Sequence, residues 1–220
     1  MGLESWEEKL IKEVAKFRTG YAFNSKEFTN EGYQVIRMGN LYNGILDLQR
    51  NPVFISPELL DSSIVVKYLI RNGDILLTLT GTKYKRDYGY AVLIDENKNM
   101  LLNQRIVSLT PEIIETNFLL HYLQTELFRN KFFSNETGGV NQGNVSSKFV
   151  ENIKLPFPTL PEQQEIVRIL DDLFAKEQAA QDLCDQIDQI DTIKKNHPRQ
   201  SLSGATGDEC GWGRECGGAA

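Results

Sequence analysis

The densest basic stretch of this 220-residue chain is Lys83-Tyr84-Lys85-Arg86, where three cations and two aromatics, Tyr84 and Tyr88, fall within six residues. Lysine and arginine heads meet phosphates, tyrosine rings insert or stack, and a guanidinium such as that of Arg86 can grip a guanine edge through two parallel hydrogen bonds. Thr82 adds a hydroxyl just before them. A solvated hairpin tip would have the same composition, because loop tips collect polar side chains. A second set comprises Asn141, Gln142, Asn144, Ser146, Ser147 and Lys148, beside Gly138, Gly139 and Gly143. Its amides can pair with adenine, its hydroxyls with phosphate, and its glycines permit close backbone approach. Turns favour Asn and Gly for their own reasons, so this loop is unspecific when taken by itself. Asn40, Tyr42 and Asn43 form a third polar loop.

Catalytic groups are harder to find. His121 falls in an apolar helical stretch, where a histidine is ordinarily a hydrogen-bonded core residue, and His197 lies in the tail. Thr80-Gly81-Thr82-Lys83 lacks the spacing of a phosphate-binding loop, and no strand leads into Gly138–Gly143 as a dinucleotide fingerprint requires. Asn51-Pro52-Val53-Phe54 approaches the Asn-Pro-Pro-Phe motif of amino-methyltransferases but lacks its second proline, and no Gly-rich cofactor loop precedes it. The three cysteines, Cys184, Cys210 and Cys216, have no partners at zinc spacing and make no disulfide framework. The expectation is a chain with no catalytic residue, cofactor or metal.

The elements that must hold these loops follow from composition and period. With 40% hydrophobic and 10% aromatic residues, the chain can bury one sizeable core and an appendage. No apolar run approaches the ~18 residues of a membrane span, and the N-terminus lacks a leader's basic start, so a cytoplasmic location with no membrane partner is expected. The net charge of −6 is uneven: 18 basic and 18 acidic residues precede Glu162, leaving 6 and 12 beyond it. A neutral globular part offers no global field for a polyanion, so any nucleic-acid contact must be local.

Short β-rich runs lie at 33–38, 53–55, 74–79, 91–94 and 106–110, separated by Gly, Asn, Asp and Pro. The spacing of Trp6, Leu10, Ile11, Val14 and Phe17 fits a helix or an irregular lead-in. A helical period over 111–133 carries the stripe Ile114, Phe118, Leu119, Tyr122, Leu123, Leu127 and Phe128. Residues 146–152 read as a short helix or turn, and Leu155–Pro158 as an extended connector. These elements predict an α+β fold: a mixed β-sheet domain with packed helices.

Thr159-Leu160-Pro161-Glu162 has the spacing of a helix start, with Pro in the first turn. Ile166, Ile169, Leu173, Ala180, Leu183, Ile187 and Ile190 then alternate steps of three and four, interrupted at Lys176, for about four heptads. The 34 residues from Glu162 to Lys195 would span roughly 50 Å, more than one small domain covers. The helix could fold back along its own domain, but Asp182, Asp185, Asp188 and Asp191 keep one side solvated while the seam continues. A coiled coil with a second helix is the favoured reading. It assigns Ile166, Ile169, Leu173, Leu183, Ile187 and Ile190 to dimerisation.

The order of these features resembles the specificity subunit of type I restriction-modification systems. The matching pieces are Thr19-Gly20, Arg37-Met38-Gly39-Asn40-Leu41, Gly73–Thr78 with Gly81-Thr82, Asn103-Gln104-Arg105-Ile106, and the run Ile153–Val167 that contains Leu155-Pro156-Phe157-Pro158-Thr159-Leu160-Pro161-Glu162-Gln163-Gln164. The resemblance implies a non-catalytic reader of double-stranded DNA that directs methyltransferase (M) and, through them, restriction (R) subunits to a bipartite site. On it, residues 1–158 would form a target recognition domain and 159–195 a spacer and dimerisation helix. Lys83, Tyr84, Lys85, Arg86, Thr82, Asn141, Gln142, Asn144, Lys148 and Asn43 would be the DNA-binding residues.

Members of that family usually carry two recognition domains and two spacer helices, whereas this sequence has one of each. Where they commonly continue with Ile-Leu-Ala-Arg-Ala-Phe-Arg-Gly, this chain has His197–Gly204. One coding of His197–Gly204, read a base later, restores Ile-Leu-Ala-Arg-Ala-Phe-Arg, so residues 196–220 are expected to be a disordered, frame-shifted tail. Four readings stay open: a half-length subunit that self-associates, a truncated subunit that assembles poorly, a protein-interaction adaptor with an oligomerising helix that binds no DNA, and, least favoured, an unrecognised small-molecule enzyme.

Overall fold

A computed structural model describes residues 6–96, 98–139 and 141–196, with the side chains of 194–196 left aside. The expected tail beyond 196 lies outside the described residues. The N-terminal stretch, open between helix and irregular lead-in, is strand, turn and strand. β1 (Glu7–Leu10) leads through a single turn, α1 (Ile11–Val14), into β2 (Ala15–Thr19). Ile11 and Val14 are both fully buried and mark the one turn in which helical spacing was real.

The chain continues through β3 (Tyr33–Ile36), the hairpin β4 (Leu41–Tyr42) and β5 (Ile45–Leu46), β6 (Phe54–Ile55) and helix α2 (Ser62–Tyr68). Helix α2 escapes a sequence reading because Ile64, Val65 and Val66 are β-branched. Asp61 starts it by accepting a hydrogen bond from the Ser63 amide at 2.7 Å. Next come β7 (Ile75–Thr78), β8 (Thr80–Gly81), β9 (Ala91–Leu93), β10 (Met100–Leu102) and β11 (Ile106–Pro111).

The main sheet is antiparallel in the order β2-β11-β7-β9. Its central strands are apolar on both faces because both are covered. Ile75, Leu77, Val107 and Leu109 join the larger core with the C-terminal helices, while their neighbours Leu76 and Ile106 join a smaller one with Ile36, Leu41 and Met100. That smaller core is roofed by a mixed sheet, β10-β3-β6, in which β10 runs parallel to β3 and β6 antiparallel to it. Strand β10, three residues long, was not among the expected runs.

The helical period over 111–133 divides into two helices, α3 (Thr116–Gln124) and α4 (Glu126–Phe133). Thr125 makes the break: its hydroxyl oxygen accepts from the Phe128 amide at 3.2 Å and so starts a second helix. Pro111 belongs to β11. After β12 (Gly143–Asn144), Ser146 accepts from the Phe149 amide at 3.1 Å and opens α5 (Ser147–Glu151), which resolves the helix-or-turn alternative. The extended connector is strand β13 (Lys154–Phe157), paired antiparallel with β1. Pro156 is tolerated there because β13 has a partner on one side only.

Helix α6 (Leu160–Asn196) begins where Glu162 accepts hydrogen bonds from the Thr159 amide at 2.9 Å and hydroxyl at 2.8 Å. Gln163, 1% exposed, donates to the Pro158 carbonyl at 2.8 Å and accepts from the Glu115 amide at 2.8 Å. One buried amide thus ties the start of α6 to the start of α3. The chain divides into two units, residues up to Asp171 and residues from Asp172 onward. In the first, Val167 is buried and Ile166 packs against the larger core. In the second, α6 exposes Leu173, Leu183, Ile187, Ile190 and Ile193 by 51–61%. The architecture is α+β, with a mixed arrangement of sheets, packed helices and a long C-terminal helix.

Candidate nucleic-acid interface

Two of the three polar loops picked out by composition are neighbours. β8 pairs antiparallel with β12, matching Gly81 to Gly143 and Thr80 to Asn144. The Val145 amide continues the ribbon by donating to the Leu79 carbonyl at 2.9 Å. The 82–86 loop therefore leaves one strand of a two-residue ribbon, and the loop carrying Asn141 and Gln142 enters the other. Both glycines are required by crowding: a Cβ on Gly81 would lie 2.8 Å from Cβ of Tyr88, and one on Gly143 would lie 2.3 Å from the Tyr88 hydroxyl.

Tyr88 is the pillar beneath the ribbon. It is 1% exposed, packs edge-on against Phe132 and Phe133, and donates from its hydroxyl to Glu136 at 2.6 Å. Burial, followed by the hydrogen bond to that carboxylate, pushes the phenol pKa upward, so it stays a donor.

The 82–86 loop is held by its ends. The Thr82 amide donates to Asp87 Oδ1 at 2.6 Å and the Arg86 amide to the Thr82 carbonyl at 3.0 Å. Arg86 adopts φ 47°, and its guanidinium lies 4.9 Å from the Phe133 ring centre. Tyr84, 79% exposed, stands at the tip with Lys85 exposed beside it, and Lys83 is half-buried. Sequence reading missed the brace: Arg129 on α4 donates to the carbonyls of Arg86, Tyr88 and Gly89 at 3.0 to 3.3 Å. No local signal marks it, since it is one arginine on an amphipathic helix.

Asn141 and Gln142 are exposed, Asn144 is half-buried in the ribbon, and Lys148 stands exposed on α5. Asn43 and Gly44, with φ of 50° and 75°, form the tip of the β4–β5 hairpin. Two successive left-handed residues suit a tight hairpin turn. The hairpin adjoins the loop's brace: Asn43 lines a second depression of 560 Å³ with Gly89, Tyr90 and Arg129, and the rings of Tyr42 and Tyr90 lie 5.4 Å apart.

A further depression, of 380 Å³, is lined by Arg37, Arg50, Asn51, Asn103, Gln104 and Arg105, none of which the sequence singled out as a site. Asn40 builds one wall. Buried to 2% exposure, it accepts from the Arg37 amide at 3.0 Å and donates to the carbonyls of Asp47 at 3.0 Å and Arg50 at 2.9 Å. Gly20 builds another, because only hydrogen fits where a Cβ would fall 2.0 Å from the Asn103 carbonyl. Tyr21 can then bracket the turn, donating to Leu102 at 2.9 Å and accepting from Gln104 at 3.0 Å. Met38, at this depression, receives a hydrogen bond from the Thr80 hydroxyl at 3.3 Å, so the depression and the ribbon are contiguous.

His121 is half-buried, with Nε2 3.3 Å from Asp171 Oδ1. No group of three or more His, Cys, Asp or Glu able to hold a metal occurs among the described residues, and none of their helices is long and apolar enough to cross a membrane.

Comparison with known proteins matches the sequence to one family. The model for the type I restriction modification DNA specificity domain covers residues 3–189. The chain is 26% identical over 173 residues to the type I restriction enzyme EcoAI specificity subunit of Escherichia coli, covering 78% of this chain and 28% of that protein. It is 28% identical over 172 residues to the MjaVIII specificity subunit of Methanocaldococcus jannaschii, covering 76% and 39%. The chain thus spans well under half the length of these relatives. Among solved structures, the S subunit of a type I system from M. genitalium superposes with a TM-score of 0.54 at 16% identity, over 87% of this chain and 44% of that one. The HsdS subunit from Thermoanaerobacter tengcongensis gives 0.54 at 19%, over 89% and 40%. The family match over residues 3–189 leads to one assignment: the chain belongs to the type I restriction-modification DNA specificity family.

Proposed function

We propose that the chain is a non-catalytic DNA sequence reader of a type I restriction-modification complex, with the domain at 1–158 contacting double-stranded DNA and the helix at 159–195 acting as spacer and dimerisation element. The observation that carries the reading is the pairing of Gly81 with Gly143, which sets the basic 82–86 loop beside the amide-rich 141–144 loop. Phosphate contacts from Lys83, Lys85 and Lys148 supply affinity, and Tyr84, Arg86, Thr82, Asn141, Gln142, Asn144 and Asn43 supply base and sugar contacts. Methyltransferase subunits, and through them restriction subunits, are the partners.

Two copies pair through Leu173, Leu183, Ile187 and Ile190, each more than half exposed, with Ile169 at 44% and Ile166 at the edge where the helix joins the core. Apolar residues repeating in steps of three and four on an otherwise polar helix bury themselves against another helix. A homodimer presents two identical domains, so the site is an inverted repeat with a fixed spacer.

Methylome sequencing of a host expressing this chain with a type I methyltransferase subunit tests the reading. The expected result is methylation, dependent on this chain, at a split inverted repeat. Methylation unchanged by the chain overturns DNA reading, and a site without inverted symmetry overturns pairing.

A further inference from the structure

The depression between Arg37, Arg50 and Arg105 carries an inference that rests on the DNA reading above and extends it. Three arginines line one concavity with Asn51, Asn103 and Gln104. Among the described residues, none of the three arginines is in an ion pair. Their backbones are instead anchored: the Arg37 amide by Asn40, the Arg50 carbonyl by the Asn40 amide, and the Arg105 carbonyl by the Leu79 amide at 3.0 Å. Arg37 also donates to the Asn51 carbonyl at 2.7 Å, and Asn51 holds φ 48°. Like charges gathered without counter-charges repel one another, and an entering anion removes that repulsion. Anchoring beforehand lowers the ordering cost of binding.

Shape decides which part of DNA fits. A base edge lies at the floor of a groove and is reached by something that projects, whereas the sugar-phosphate strand is a ridge and fits a concavity. The projecting element is next to the concavity: Arg50 lines it and also lies 5.8 Å from the ring centre of Tyr42, which is 47% exposed on the β4–β5 hairpin. Ile45 on the same hairpin is 66% exposed.

We propose that the Arg37–Arg50–Arg105 depression seats the phosphate backbone of one DNA strand and thereby sets the β4–β5 hairpin, with Tyr42 and Asn43, into the neighbouring groove. Arg50 and Arg105 are the test residues, because both are exposed and their removal leaves the buried Asn40 network in place.

Binding of the full chain to a random-sequence duplex is measured across a series of potassium chloride concentrations. For Arg50→Ala and Arg105→Ala, affinity falls severalfold on every duplex, and the slope of log affinity against log salt falls by about 1 per lost phosphate contact. Arg50→Lys and Arg105→Lys keep most of the slope, because a phosphate accepts a point charge. An unchanged slope in both alanine variants overturns the inference, and so does a changed preference among duplexes at constant slope, which would make these arginines base readers. If the wild-type chain shows no salt-dependent duplex binding, the DNA reading itself fails and the seat falls with it.

Discussion

Arg18 and Asp74 meet at 2.6 Å on the smaller-core face of the main sheet, and the carboxylate is 2% exposed. Both oxygens of Asp74 are occupied, one by the Thr110 hydroxyl at 2.7 Å and the other by Arg18 and the Arg71 amide at 2.9 Å. Arg18 in turn donates to the Leu69 carbonyl at 2.7 Å. Burial draws its pKa down and Asp74 opposes that shift. Removing one partner leaves the other buried and uncompensated, so Asp74→Ala should cost about 3 kcal/mol or more. Thermal unfolding followed by circular dichroism checks it, and a midpoint within about 2 °C of wild type would contradict the pair's importance.

Gly81→Ala should destabilise by about 1–3 kcal/mol, because the added Cβ meets Oδ1 of Asp87 at 2.7 Å, which can swing aside, and Cβ of the buried Tyr88 at 2.8 Å, which cannot. Urea midpoints of wild type and variant measure it. An unchanged midpoint would mean that the ribbon shifts at no cost.

Arg129→Ala removes three hydrogen bonds to loop carbonyls yet leaves the core cluster of Phe128 and Phe132 intact. Amide exchange should accelerate over 86–89 while α3 and the main sheet keep their protection. Uniform acceleration across the domain would show that Arg129 supports the core and not the loop.

Glu162 gives a dependence on pH at the start of α6. Hydrogen bonds from the Thr159 hydroxyl and amide hold its carboxyl below the ordinary glutamate value. A depressed folded-state pKa stabilises above the unfolded value, ~4.3, and that contribution is lost as pH falls through the folded one. Carboxyl-carbon NMR titration should place Glu162 below the ordinary glutamate value, and Glu162→Gln should abolish the acid-side dependence of amide shifts at Thr159. A Glu162 titration at the ordinary value would refute the bond pair.

For the pairing of two copies, the double variant Leu183→Asp and Ile187→Asp should be monomeric by light scattering at tens of micromolar, with the domain's thermal midpoint unchanged because both residues are exposed. A wild-type chain that is itself monomeric under these conditions would refute pairing.

Much of this was legible in sequence wherever a signal is repeated or local. The heptads and the Thr159–Glu162 spacing mark α6, and β7, β9 and β11 of the main sheet fall on β-rich runs, whereas β2, with Thr19 its one β-branched residue, reads as helix or lead-in. The depression was not legible, since Arg37, Arg50 and Arg105 are scattered along the chain and converge only through Asn40, Gly20 and the parallel pairing of β3 with β10. Helix α2 and strand β10 were missed for opposite reasons: one is short and β-branched, the other too brief for its period to register. The division at Thr125 was hidden because the apolar stripe runs across both helices, while a single hydroxyl decides where one stops and the next begins.

The two-residue ribbon β8–β12 also bears on how such a chain can change. Its register is written in main-chain hydrogen bonds and two glycines, and the side chains of 82–86 and 141–142 hang outside that register. Substitutions at the loop tips can therefore accumulate without disturbing the frame that aims them. On the proposed DNA reading, the fold separates the part that must stay constant from the part free to drift, so a new specificity is reachable by single steps through stable intermediates.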